Sequence, residues 1–232
     1  MKQTKFSRVV AKLRKHYGAP PTPKTTDPLG LIIHENIAYL TTEEKRDAAF
    51  DTLRRKVGLK PTKILAAAED DLIRIARLGG IHPELRVARL QEIARIVLND
   101  FGGDLSNALK LPFPKARKSL QTFPAIGPPG AEKVLLFTRT YPVLALESNG
   151  LRVLLRLGFG EEHKSYAASY ASVQEALKDE VEQDFDFLIG AHQLLRRHGQ
   201  ELCRRSKPRC EVCPVKSDCD YYLEIMSPRT TP

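Results

Sequence analysis

All four cysteines of the chain fall within seventeen residues, as Cys203-x6-Cys210-x2-Cys213-x5-Cys219, interleaved with Arg204, Arg205, Lys207, Arg209 and Lys216. Whatever joins these thiols closes a short basic loop, so the segment has to fold around a shared centre. Thiolates are soft ligands suited to tetrahedral sites, and the guests that meet this demand are an iron-sulfur cluster or structural zinc. Zinc sites usually show two short ligand pairs with a longer spacer, and only Cys210 and Cys213 are spaced as such a pair. Disulfides are the third option. They belong mostly to small secreted chains, whereas this one has 232 residues and shows no signal-peptide pattern.

Preceded by His198-Gly199 and followed by acidic and aromatic residues, the 6-2-5 spacing resembles the C-terminal four-iron four-sulfur loop of the endonuclease III superfamily of DNA glycosylases. The resemblance implies a [4Fe-4S] cluster held by Cys203, Cys210, Cys213 and Cys219. It also sets a requirement: a helix-hairpin-helix upstream, with a catalytic carboxylate shortly after it.

The remaining sequence is compatible. A hydrophobic content of 42% is enough for a core, and no apolar run approaches the length of a membrane span. The net charge of +9 favours a polyanionic partner, since neutralising phosphates releases counterions. Lys2, Lys5, Arg8, Lys12, Arg14, Lys15 and Lys24 lie in a start without acids. Phe6, Val9, Val10, Leu13 and Tyr17 form one helical stripe there, which predicts a docked amphipathic helix rather than a transit peptide, stopped by Pro20-Pro21-Thr22-Pro23. From Asp27 onward the periodicity is helical, broken at Gly58, Gly79-Gly80, Gly102-Gly103 and Gly127. Thr41-Thr42-Glu43-Glu44 opens a helix with Ala48, Phe50, Leu53 and Val57 at helical spacing, and Leu85 to Leu98 predicts another after Pro83. The acid-rich stretch 161–187 reads as a solvated face.

The hairpin is found at Leu120-Gln121-Thr122-Phe123-Pro124-Ala125-Ile126-Gly127, followed by Pro128-Pro129-Gly130-Ala131-Glu132-Lys133. It resembles the family's Leu-Pro-Gly-Val-Gly-x-Lys-Thr-Ala element, which implies DNA-phosphate contacts from Ala125, Ile126, Gly127 and Gly130 at a helix N-terminus. Pro129 stands where the family's nucleophilic lysine would be. Proline within a chain has no amine to form a Schiff base, so lyase chemistry is not expected. Lys133, one turn further on the same face, has the reach to turn inward, but a solvated surface lysine is the expectation.

Leu146-Glu147-Ser148-Asn149-Gly150-Leu151-Arg152-Val153 resembles the family segment with an aspartate at the start of a helix, and Glu147 takes that place. The same residue also fits a plain helix-start acid interacting with the dipole. Asp27-Pro28 and Glu35 are similar to the adenine-glycosylase and mismatch-glycosylase branch, which implies that Glu35 protonates the departing base. Tyr39, Leu40, Ile81 and His82 are candidates for filling the gap left by a flipped nucleotide.

These readings predict an all-α, two-lobed helix-hairpin-helix fold, with a six-helix lobe over 37–140 and a second lobe from 1–36 plus 141–232. The function implied is monofunctional excision of a damaged or mismatched base from double-stranded DNA, with Glu35 and Glu147 as the acting carboxylates. DNA would be gripped by the hairpin and by Arg204, Arg205, Lys207 and Arg209. The expected protein is monomeric, without membrane contact, and cytoplasmic or nucleoid-associated. A noncatalytic binder of DNA structure or damage, derived from the same fold, is the alternative that Pro129 and the aspartate-to-glutamate change favour.

Overall fold

The computed structural model describes residues 4–226, which leaves Lys2 of the basic start outside the description. The described helices are α1 (Lys5–Tyr17), α2 (Pro28–Asn36), α3 (Glu43–Lys56), α4 (Pro61–Ala66), α5 (Glu69–Arg77), α6 (Pro83–Phe101), α7 (Ser106–Leu109), α8 (Phe113–Leu120), α9 (Pro128–Phe137), α10 (Ser148–Arg156), α11 (Tyr166–Ala176) and α12 (Phe185–Glu201). Short 3-10 turns at Cys210–Val212 and Lys216–Asp218 and a π turn at Tyr222–Met226 follow. The only extended pairing among the described residues is a bridge from Tyr39 to Gly80, so the fold is all-α as expected.

Two compact units form, Met1–Thr22 with Pro142–Pro232 and Pro23–Tyr141. The division therefore falls at 22/23 rather than at the expected 36/37, and the central unit holds the eight helices α2–α9 rather than six. The reason is burial. Ile33 and Ile37, in and just after α2, enter the same core as Phe50, Leu53, Ile64, Leu72, Val87 and Leu90.

In the central unit α2 starts where Asp27 accepts from the amide of Gly30 at 2.6 Å, with Pro28 preset for the first turn. Ala49, not the expected Ala48, accompanies Phe50 and Leu53 inward. Leu85 stays half exposed, while Val87, Leu90, Ile93, Ala94 and Val97 carry the buried face of α6.

In the terminal unit the predicted stripe of α1 is buried at Phe6, Val9, Val10 and Leu13. The helix stops at Gly18 (φ 80°), ahead of the prolines, because a glycine takes this left-handed conformation without the usual steric cost. Glu180, from the acid-rich stretch, is no solvated acid: its Oε2 accepts from the amide of Phe6 at 3.0 Å, satisfying a first-turn donor of α1. Helix α12 passes α10 at Gly199, where a Cβ would come within 2.6 Å of the Asn149 carbonyl oxygen. Only glycine permits this approach.

Candidate functional site

Helices α8 and α9 flank the predicted hairpin turn. Phe123 and Ile126 are buried, and the Ile126 amide donates to the carbonyl of Phe123 at 3.2 Å. Ile126 therefore anchors the turn and has neither side chain nor amide to offer a phosphate. Ala125 and Gly127 are exposed, and Ala125 holds a left-handed φ of 57°. Pro128 and Pro129 remove two donors from the first turn of α9, leaving Gly130 as its amide carrier. Asn36, on the last turn of α2, donates from Nδ2 to the carbonyls of Ile32 at 3.1 Å and Pro124 at 3.0 Å, clamping α2 to the turn.

One residue before this clamp lies Glu35. Its Oε1 is 2.5 Å from Lys133 Nζ, and its Oε2 is 3.9 Å from an Arg46 nitrogen. Lys133 is thus no solvated lysine. Only 16% of its side chain is exposed, and its ammonium sits 5.5 Å from the centre of the Phe137 ring. Neighbouring His34 bonds Asp47 at 2.9 Å and titrates below the usual histidine range, chiefly because it is buried and despite Asp47.

Four residues with gap-filling potential surface together on the same unit. Tyr39, Leu40, Ile81 and His82 are all exposed, Leu40 by 75%. Behind them Arg86, 1% exposed, donates to the carbonyls of Ile37 at 2.8 Å, Gly80 at 2.5 Å and His82 at 3.3 Å. The amide of Tyr39 completes the clasp on Gly79 at 3.0 Å.

Glu147 belongs to the terminal unit and caps α10. Its Oε1 accepts from the Gly150 amide and its Oε2 from Asn149 Nδ2, both at 2.7 Å. Asn149 Oδ1 in turn accepts from Arg152 Nη2 at 2.8 Å, and Arg152 reaches the carbonyls of Gly199 at 2.8 Å and Cys203 at 2.9 Å. The sequence placed Glu147 at a helix start but gave no hint of this relay to the cysteine loop.

Cys203, Cys210, Cys213 and Cys219 line one small pocket, together with Arg156, His198, Tyr221 and Tyr222, and none is disulfide-bonded. Burial first, and then the neighbouring thiols, push Cys213 up to about 11, and Cys210 and Cys219 also move upward. Four soft donors crowded in one pocket fit a thiolate-bound metal centre. Arg156 approaches Cys203 Sγ at 3.4 Å and ties down the carbonyls of Arg204 at 2.8 Å and Arg205 at 3.1 Å. The side chains of Arg204, Arg205, Lys207 and Arg209 are left exposed. Tyr17 Oη lies 3.0 Å from His198 Nδ1, whose other ring nitrogen is 3.5 Å from Cys213 Sγ. Burial pulls the histidine down to about 4.

Asn36, Arg86, Lys133, Arg152 and Arg156 were not singled out by sequence for these roles. An arginine or lysine on an otherwise buried helical face is the signal that was there to be read at Arg86 and Lys133.

No protein-family model matches the chain. Endonuclease III of Rickettsia conorii is 26% identical over 215 residues, covering 88% of this chain and 91% of its own. A thymine-DNA glycosylase of Aeropyrum pernix is 24% identical over 206 residues, covering 87% and 86%. Among solved structures, a trapped endonuclease III–DNA covalent intermediate superposes with a TM-score of 0.75 at 18% identity, over 97% of this chain and 99% of its own. Hairpin, cysteine loop and helical fold accord with these likenesses, and the chain is similar over most of its length to endonuclease III and to a thymine-DNA glycosylase.

Proposed function

We propose that this protein is a DNA base-excision glycosylase that hydrolyses the N-glycosidic bond of a damaged or mismatched base. It acts as a monomer on double-stranded DNA, in the cytoplasm or on the nucleoid. The observation that supports this reading is the clamp between Asn36 and the Pro124 carbonyl, which ties the end of α2, with Glu35 one residue earlier, to the hairpin turn. A base inside a stacked duplex is out of reach, so the nucleotide must be rotated out, with Tyr39, Leu40, Ile81 and His82 filling the gap.

In this mechanism Glu35 protonates the leaving base, while Glu147 stabilises the positively charged sugar and orients the attacking water. The fixed geometry of Glu147, with a donor on each oxygen, supports a carboxylate that serves by charge rather than by giving a proton. Pro129 supports monofunctional action, because no amine stands at the family's nucleophile position. Cys203, Cys210, Cys213 and Cys219 would hold a [4Fe-4S] cluster, which supplies a rigid cross-link and electron-transfer capacity. The chain's own share is to present Ala125, Gly127, Gly130, Arg204, Arg205, Lys207 and Arg209 to the phosphates.

A noncatalytic DNA binder is the second reading, favoured by Glu147 acting as a helix cap. One experiment separates the two: incubation with a panel of lesion-bearing duplexes, with and without alkali. Alkali-dependent strand breakage supports the glycosylase, and intact bases throughout the panel support the binder.

A further inference from the structure

We infer that Lys133 supplies, through Glu35, the proton that the departing base takes. The inference rests on the glycosylase reading and adds the source of the proton.

Glu35 stands between two cations, Lys133 at 2.5 Å and Arg46 at 3.9 Å. A carboxylate gripped in this way has no proton to give until one of its partners yields it. Arg46 does not qualify, since a guanidinium keeps its protons in proteins. Lys133 does. Its ammonium has three protons, and one is directed at Oε1 of Glu35. The pair is sheltered, with side-chain exposures of 16% and 30%, and it joins α2 to α9, the same helix that the hairpin opens. The charged and titratable groups nearby are His34 on α2 and Glu43, Arg46 and Asp47 on α3, with Lys24 on Asp47.

The step balances as follows. The bond from the sugar C1′ to the base nitrogen breaks, and its electron pair stays on the base. A proton passes from Lys133 Nζ to Glu35 and from Glu35 to the base. Water attacks C1′ and its proton passes to bulk solvent, while Glu147 acts by its charge alone. Lys133, left as a neutral amine, recovers a proton from solvent once the free base has gone.

The test uses the full chain in single-turnover base release. The substrates are a duplex on which the lesion panel shows activity and the same duplex with a halogenated, more acidic base that leaves without protonation. Lys133→Met is expected to slow release by about 100- to 1,000-fold on the parent base and by less than about tenfold on the halogenated one. Lys133→Arg keeps the charge but holds its proton, so it should fail to restore the rate. The double variant with Glu35→Gln should be no slower than the slower single, as expected of residues acting as one unit. Recovery by Lys133→Arg to near the wild-type rate, or an equal loss on both bases, would overturn the inference. Lys133→Arg preserves bulk and charge, so it decides the matter even where Lys133→Met fails to fold. A wild type inert on every lesion defeats the glycosylase reading instead.

Discussion

Arg152 donates from Nε to the carbonyl oxygen of Cys203 at 2.9 Å. Through Asn149 the same guanidinium steadies Glu147, so the geometry of the cap and that of the cysteine loop depend on one side chain. Burial accounts for most of the downward shift of Arg152, which is the cost of placing it there. Arg152→Leu should reduce base release by about 10- to 100-fold, the usual scale for an outer-sphere partner, and should also lower the iron content of the purified protein. Release assays and metal analysis check both halves. A loss of one without the other would separate cap from loop.

Binding through the basic loop should be largely indifferent to sequence. Replacing Arg205 and Lys207 by alanine is expected to weaken affinity on every duplex and to flatten the salt slope by about 0.9 per lost phosphate contact. Titrations at several salt concentrations measure this, and an unchanged slope would remove the loop from the interface.

Strand scission should require alkali. With Pro129 at the nucleophile position and Lys133 engaged as the cation of an ion pair, borohydride should trap no protein–DNA adduct. Glu35→Gln should depress base release while preserving binding, since the amide keeps the shape and loses the transferable proton. An adduct that maps to Lys133 would assign that lysine to covalent attack.

Two backbone positions have opposite expectations. Ala125→Gly should raise stability by about 1 kcal/mol, because a left-handed φ of 57° is costly for any residue with a Cβ. Gly199→Ala should lower it by about 1–3 kcal/mol, since the new methyl meets the backbone of Asn149. Thermal melts of the two variants test the signs.

Acid should destabilise the central unit through His34. Its folded pKa is depressed, so between that value and the unfolded value near 6.5 the unfolded chain binds a proton that the folded chain does not. Stability is then fully present above about pH 6.5 and declines as the pH falls towards the folded value. His34→Gln should flatten this part of the profile in denaturant titrations. His198, depressed in the same direction, retains its own share.

Local patterns carried much of the architecture. The buried stripe of α1, the hairpin turn and the four gathered cysteines were each legible, because each is set by neighbours within a few turns. Long-range pairings were not. Glu35 and Lys133 are 98 residues apart, and Arg152 meets a carbonyl 51 residues away. Periodicity tells which face a side chain occupies but not what it meets there, and a long flexible cation fits solvent and a buried partner equally well. The displaced unit boundary has the same origin: α2 is apolar enough to join either body, and only packing decides which.

Arg86 gives the Tyr39–Leu40 tip a property that exposure alone would not. Apolar side chains on a slack loop fold back to hide from water. Here retreat would strand a desolvated guanidinium among the carbonyls of Ile37, Gly80 and His82, a heavier penalty than leaving Leu40 wet. The protrusion is therefore hardened before any duplex arrives. Its ordering is settled during folding, so under the proposed insertion a base stack would meet a prow and not a loop still searching for its shape.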